Sequence, residues 1–115
     1  MKKLVYLISP NKIDSKFYTT LDRVLAFKNV KFFQLRLKKV KQNKIIKIGK
    51  KIRKITKKYK VKFIINDNPI IAKITRADGC HLGQSDGSAT KAKKYLNNKI
   101  HFMFFGDFLD FISNF

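Results

Sequence analysis

Basic and amide side chains alternate with leucines in one segment of the chain, Gln34-Leu35-Arg36-Leu37-Lys38. In an extended strand, residues at every second position share a face, so Gln34, Arg36 and Lys38 lie on the same side. An arginine binds phosphate oxygens through a planar fork, and a lysine acts as a point charge. The segment therefore predicts a site for a phosphate-bearing anion, with Arg36 and Lys38 supplying the charge and Gln34 an amide.

Two further segments supply carboxylates and amides. Asn66 and Asp67 end the segment IIND, and the segment ADGCHLGQSD contains His81, Gln84 and Asp86. Mg²⁺ prefers one or two carboxylates together with phosphate oxygens, so Asp67 and Asp86 predict a shared magnesium site. Asn66 is a candidate ligand-binding amide, and His81 and Gln84 are further candidates. Together, these side chains indicate diphosphate and magnesium chemistry.

Simpler interpretations exist for several of these residues. Asp67 is followed by Asn68 and Pro69, a pattern that also fits a helix-capping turn. Asp78 precedes a glycine and is interpreted as a turn or strand-entry residue. Cys80 directly precedes His81 in the predicted strand, so the two side chains lie on opposite faces, and Cys80 is assigned to the core. It is the joint placement of the polar residues that predicts a site.

The elements that would carry these residues alternate between strand and helix. Apolar runs and period-2 alternation predict strands, and apolar positions three and four apart predict helices. The predicted strands are Leu4–Ile8, Val30–Lys38, Val61–Ile65, Asp78–Leu82 and Ile100–Phe105. The predicted helices run from Asp14 or Ser15 to Phe27, Asn43–Tyr59, Pro69–Arg76 and Ala89–Leu96. Strands and helices alternate, and no short turn joins two strands directly as in a β-hairpin. This order predicts βα units and a parallel sheet, in which ligands bind beyond the carboxyl ends of the strands.

The composition limits the remaining function classes. The 115 residues include 27 basic and seven acidic side chains, a formal net charge of +20. This charge allows a nucleic-acid-binding function as an alternative, but the lysines are spread along the chain and favour a solvated surface. The single cysteine excludes an internal disulfide and a cysteine-based metal site. The apolar run Leu4–Ile8 is too short for a signal-peptide core or a membrane span, and a cytoplasmic protein is expected.

The segments QLRLK (34–38), IIND (64–67) and ADGCHLGQSD (77–86), in this order, resemble the signature segments of thiamine phosphate synthases. The opening YLIS followed by Pro10 is similar to the first strand of that family. The resemblance implies a (β/α)₈ barrel that joins hydroxymethylpyrimidine diphosphate to thiazole phosphate and releases diphosphate. By the same resemblance, Gln34, Arg36, Lys38 and Asn66 bind the pyrimidine diphosphate. Asp67 and Asp86 would hold Mg²⁺, and the partners would be these two small molecules.

The last part of the chain departs from the family pattern. Resemblance extends to about residue 100, and residues 101–115 form a phenylalanine-rich tail. Since a complete barrel needs about 200 residues or more, we expect one partial barrel domain over residues 1–115, truncated to about four and a half βα units. Self-association through open barrel edges is a further expectation. The alternatives are an inactive diphosphate-binding remnant, a protein like the related thiazole tautomerases, or a basic nucleic-acid-binding protein.

Overall fold

The structure, a computed structural model, describes residues 4–82 and the backbone of residues 102–105. The elements in chain order are β1 (Val5–Ile8), α1 (Ser15–Leu25), β2 (Val30–Leu35), α2 (Gln42–Lys58), β3 (Lys62–Asn66), α3 (Pro69–Ile74), β4 (Gly79–Leu82) and β5 (Phe102–Phe105). These strands form one sheet in the order β1-β2-β3-β4-β5, and every neighbouring pair is parallel. The parallel βα architecture predicted from the sequence is thereby confirmed.

Local side-chain caps fix the start of two helices. The Asp14 carboxylate accepts a hydrogen bond from the Phe17 amide at 2.9 Å, which satisfies one of the free amides at the start of α1. The Asn68 side chain does the same for α3 through the Ile71 amide at 3.0 Å, with Pro69 in the first helical turn. The capping turn that the sequence allowed after Asp67 is therefore present, and its capping residue is Asn68.

Helix α2 has no side-chain cap, and packing holds it instead. Ile48 and Ile52 are buried against the sheet, and Gly49 faces α3 so closely that an added Cβ would lie 2.8 Å from Cγ2 of Thr75. The opposite face of α2 is lysine-rich and exposed, as the sequence predicted. Among residues 4–82 and 102–105, no helix is long and apolar enough to cross a membrane.

The two faces of the sheet differ in chemistry. One face packs against the helices and is apolar, with Phe33, Leu35, Phe63, Ile65 and Cys80 in one buried cluster. Because side chains alternate along a strand, the other face receives Phe32, Gln34, Ile64, Asn66 and His81. The assignment of Cys80 to the core, opposite His81, is confirmed, since Cys80 is fully buried.

Strand β2 is shorter than the sequence predicted. We expected it to extend to Lys38, but it ends at Leu35. The reason is a side chain from outside the strand, because the hydroxyl of Ser9 forms hydrogen bonds with both the amide and the carbonyl of Arg36. Three residues later, Lys39 adopts a left-handed conformation with φ 58°. The predicted helix Ala89–Leu96 lies outside the described residues.

Candidate ligand site at the carboxyl ends of the strands

Gln34 lies on the face of the sheet opposite the three described helices and is only 2% exposed. Its Nε2 donates a hydrogen bond of 2.9 Å to the hydroxyl of Tyr6 on the neighbouring strand β1. Burial raises the pKa of Tyr6 to about 12, although the bond from Gln34 acts in the opposite direction. The pair fixes the Gln34 amide within the sheet face. In the sequence, the only signal for Tyr6 is its place in the first apolar strand.

The backbone of Arg36 is held by Ser9, a residue whose contribution could not be predicted from the sequence. The Ser9 hydroxyl accepts a hydrogen bond from the Arg36 amide at 2.9 Å and donates to the Arg36 carbonyl at 3.3 Å. The amide of Ser9 itself donates to the Gln34 carbonyl at 2.9 Å. Ser9 is buried, whereas Arg36 is exposed. The arrangement fixes the position at which an arginine side chain leaves the end of β2 for solvent.

Three side chains at the ends of β3 and β4 are linked by hydrogen bonds. Asn66 and His81 are partners in the parallel register. The Nδ2 of Asn66 donates to the Oδ2 of Asp67 at 3.0 Å, and its Oδ1 lies 3.3 Å from the Nδ1 of His81. The Asp67 amide also donates to the His81 carbonyl at 2.7 Å. Both ends of the Asn66 amide are therefore bound by neighbouring side chains.

Asp67 occupies a strained backbone position. Its φ of 66° places it in the left-handed region, which is unfavourable for most residues but more accessible to aspartate and asparagine than to others. The turn directs an exposed carboxylate beyond the end of β3. Residues held in such conformations are common at functional sites.

The donor atoms in the described part of this site are of the kind that could bind a magnesium ion. The carboxylate of Asp67 presents hard oxygen ligands, which Mg²⁺ prefers. Among the described residues, no cluster of three or more histidine, cysteine or acidic side chains could form a metal cage. A single exposed carboxylate suits an ion that keeps several waters and phosphate oxygens.

We expect Asp67→Gly and Asp67→Ala to differ in stability although both remove the carboxylate. Glycine adopts the left-handed conformation freely, whereas alanine does not, so Asp67→Ala should unfold with a free energy about 1 kcal/mol lower than Asp67→Gly. Urea denaturation of the two variants measures the difference. Equal midpoints would contradict the strained backbone.

The other predicted site residues are divided between two places. Lys38 is exposed and lines a cavity of about 600 Å³ between the β1–α1 and β2–α2 connections. Lys12, Lys39 and Lys44 also line it, whereas Gln34, Asn66 and His81 do not. The structure therefore does not bring Lys38 to the face that holds the other residues. Gln84 and Asp86 lie outside the described residues.

The interpretation of Asp78 as a strand-entry residue agrees with its contacts. It lies before β4, at the opposite end of the strand from His81. Its Oδ2 accepts a hydrogen bond from the Phe63 amide at 2.8 Å and lies 3.5 Å from Nη1 of Arg53. Asp78 therefore joins β4 to β3 and α2 and takes no part in the candidate site.

The fold and these side chains define a class: an α/β-barrel-type protein with a candidate polar ligand site at the carboxyl ends of parallel strands. The family model described as thiamine monophosphate synthase matches residues 5–101. The chain belongs to this family.

Individual relatives agree with the family match. The chain is 62% identical over 101 residues to a thiamine-phosphate synthase of Pelagibacter ubique (strain HTCC1062), a match that covers 86% of this chain and 48% of that protein. It is 38% identical over 97 residues to a thiamine-phosphate synthase of Campylobacter jejuni (strain RM1221), covering 83% of this chain and 46% of that protein. The chain thus spans about half the length of the curated relatives it matches.

A solved structure extends the similarity to the fold. The thiamine phosphate pyrophosphorylase from Pyrococcus furiosus superposes with a TM-score of 0.70 at 27% sequence identity. The match covers 84% of this chain and 46% of that structure. The resemblance found in the three sequence segments is thereby confirmed at the level of family and fold.

Proposed function

We propose that the chain carries the pyrimidine-diphosphate side of a thiamine phosphate synthase site. The observation that carries the proposal is the set of polar side chains at the carboxyl ends of β2, β3 and β4 in a chain of this family. Gln34, Asn66 and His81 lie on the sheet face opposite the described helices, and Arg36 follows the end of β2.

The proposed reaction is a condensation of hydroxymethylpyrimidine diphosphate with thiazole phosphate. The bond between the pyrimidine methylene carbon and a diphosphate oxygen breaks, and its electron pair leaves with diphosphate. The thiazole nitrogen then supplies the pair for a new carbon–nitrogen bond. Negative charge develops on the leaving diphosphate, so fixed positive charge beside it lowers the barrier.

Arg36 and Lys38 are the proposed cationic residues. The guanidinium of Arg36 suits bidentate binding of phosphate oxygens, and the Ser9 contacts limit where that guanidinium can reach. Lys38 lies in the following loop, away from the sheet face of Gln34 and His81, and its proposed part is that of a point charge whose long side chain extends toward the same diphosphate. Both act by binding and neutralising the leaving group.

Asp67 and Asp86 are the proposed ligands of Mg²⁺. When bound, the ion would supply further positive charge to the diphosphate oxygens. Self-association of the chain and a cytoplasmic location remain predictions from the sequence.

Binding of inorganic diphosphate in the presence of Mg²⁺, measured by isothermal titration calorimetry, tests the proposal. We expect Arg36→Ala to weaken binding about tenfold or more, because charge-assisted hydrogen bonds contribute about 1.5–3 kcal/mol. The matched control is Arg23→Ala, which removes the same charge from an exposed position in the last turn of α1. Equal effects of the two substitutions would contradict a site at the end of β2.

A turnover assay with both substrates separates the enzyme from its alternatives. Formation of thiamine phosphate supports the synthase reaction, whereas diphosphate binding without product supports a binding remnant. Tight, steeply salt-dependent nucleic-acid binding without affinity for diphosphate would instead favour the basic nucleic-acid-binding alternative.

A further inference from the structure

Five lysines form one row along α2, which we call the lysine row. Its members are Lys44, Lys47, Lys51, Lys54 and Lys58. Their spacings of three and four residues place them on one side of the helix, and all five are exposed. From its first to its last member the row extends about 21 Å, at about 1.5 Å per residue. Lysines are spread along the sequence, but the fold brings these five into one line.

The charges of the lysine row are almost unopposed. Helix α2 contains no acidic residue. In the part of the chain that the structure describes, the one ion pair of the row joins Lys58 to Asp22 of α1, at 3.3 Å. Like charges three or four residues apart destabilise a helix. A partner with a row of negative charges would remove that repulsion.

Two tyrosine rings lie beside the lysine row, where α2 meets α1. The ammonium of Lys51 lies 5.3 Å from the centroid of the Tyr18 ring, and that of Lys58 lies 5.0 Å from the centroid of the Tyr59 ring. Both tyrosines are half-buried. The hydroxyl of Tyr59 is bound to Asp22, so this ring also joins the two helices. Each ring therefore places an aromatic surface next to an ammonium group.

We infer that the seam between α1 and α2 binds a single-stranded nucleic acid. Such sites combine a line of positive charge, which follows the phosphates, with aromatic rings on which bases stack. The lysine row supplies the charge, and Tyr18 supplies a ring beside it. A bilayer is the less suitable partner, because helices at a membrane surface bury an apolar face in it. The apolar face of α2 packs against the sheet instead.

This seam is separate from the candidate ligand site. Helices α1 and α2 pack on the sheet face of Phe33 and Leu35, whereas Gln34 and His81 lie on the other face. One member of the row, Lys44, lines the cavity that also contains Lys38. The variants that test the row therefore leave Lys44 unchanged.

The salt dependence of binding tests the lysine row. The probe is a fluorescein-labelled single strand of about 16 thymidines, and fluorescence anisotropy measures its affinity. A strand that contacts all five lysines should give a slope of log affinity against log salt of about −3.5. The row variant replaces Lys47, Lys51 and Lys54 with glutamine, which has a helix propensity similar to that of lysine. Its slope should fall to about −1.4.

The matched control replaces three exposed lysines near the amino ends of β2 and β3, again with glutamine. These lysines are Lys28, Lys31 and Lys60. The control has the same net charge as the row variant, and its slope should stay at about −3.5. Equal slopes for the two variants would mean that the charge of the whole chain, and not the row, attracts the strand, which overturns the inference.

Two substitutions of Tyr18 test the contact with a base. Tyr18→Leu removes the ring and should weaken binding about tenfold, because a stacked base is lost. Tyr18→Phe keeps the ring and should bind the strand as tightly as the unmodified chain. Equal affinities of the two variants would overturn the assignment to a single strand.

Two further ligands complete the test. Vesicles that contain phosphatidylserine measure attraction to an anionic lipid surface, and binding to them without binding to the strand would overturn the inference. Inorganic diphosphate with Mg²⁺ should bind the row variant as it binds the unmodified chain. An equal loss of diphosphate and strand binding in that variant would show one shared anion site and overturn the inference. If the strand binds and diphosphate does not, the inference stands and the proposed function fails.

Discussion

Replacement of Asp78 by alanine lowers the free energy of unfolding by about 2–4 kcal/mol, although the residue lies outside the candidate site. Its carboxylate is the acceptor for the amide of Phe63, a residue that is fully buried. Without that carboxylate the Phe63 amide has no partner, and Arg53 loses a partly buried ion pair. The Phe63 amide is then buried and unpaired, which is the more damaging way to disrupt a buried interaction, whereas the side chain of Arg53 is partly exposed to water.

The loss of stability in Asp78→Ala arises at one place, the contact between β3 and the start of β4, because the backbone of Asp78 also binds Phe63. Its own amide donates to the Phe63 carbonyl at 2.8 Å, so residue 78 satisfies both backbone groups of Phe63 just before β4 begins. The carboxylate thus takes the place of a strand partner. Urea denaturation at neutral pH measures the loss as a lower midpoint with an unchanged slope.

Three control variants separate the contributions at this junction. Asp78→Asn keeps an oxygen acceptor and removes the charge, so it should lose about 1 kcal/mol. Arg53→Met keeps the side-chain stem and removes the ion pair alone, with a similar small effect. Asp22→Asn removes the charge from an exposed ion pair with Lys58, where about 1 kcal/mol or less is expected. A loss in Arg53→Met equal to that in Asp78→Ala would show that the ion pair, and not the Phe63 amide, carries the effect.

The sequence predicts the faces of the strands well because alternation is a local property. Side chains alternate between the two faces of a strand, so Gln34 must lie on the opposite face from Phe33 and Leu35. His81 lies opposite Cys80 for the same reason. Both are present in the structure. The βα order and the parallel sheet follow from similarly local patterns.

The ends of the strands could not be predicted in this way. Strand β2 stops at Leu35 because the Ser9 hydroxyl binds the backbone of Arg36, which lies 27 positions later in the chain. The amide of Asn66 faces Asp67 and His81 because two strands meet in a particular register. Such contacts depend on which residues the sheet brings together. For this reason the sequence located the candidate site but not its internal hydrogen bonds.

We expect the protein to lose stability steeply as the pH rises above about 9. Burial raises the pKa of the Cys80 thiol to about 12, and the nearby Asp67 charge adds to the shift, while a hydrogen bond from the Asn68 backbone opposes it. Burial likewise raises the pKa of Tyr6 to about 12. In the unfolded chain these groups release their protons near their ordinary pKa values of about 8.5–10.

The sign of the effect follows from proton binding. Between those ordinary pKa values and about 12, the native protein holds both protons and the unfolded chain has released them. The unfolded state then binds fewer protons, so the free energy of unfolding falls as the pH rises. The contribution is complete below about pH 8 and is lost progressively up to about pH 12. For Cys80, the fall between pH 7.5 and pH 10.5 should be about 2 kcal/mol, and for Tyr6 about 1 kcal/mol.

Urea denaturation of the unmodified chain, Cys80→Ala and Tyr6→Phe at pH 7.5 and 10.5 measures these contributions. Each substitution removes one titrating group, so the difference between the two pH values should shrink by about 2 kcal/mol in Cys80→Ala and about 1 kcal/mol in Tyr6→Phe. Ionisation of the many lysines affects all three proteins alike and cancels in the comparison. If Cys80→Ala shows the same pH dependence as the unmodified chain, the thiol ionises in the native protein at its ordinary pKa. The helix-facing core around β4 would then admit water, which contradicts a fully buried Cys80.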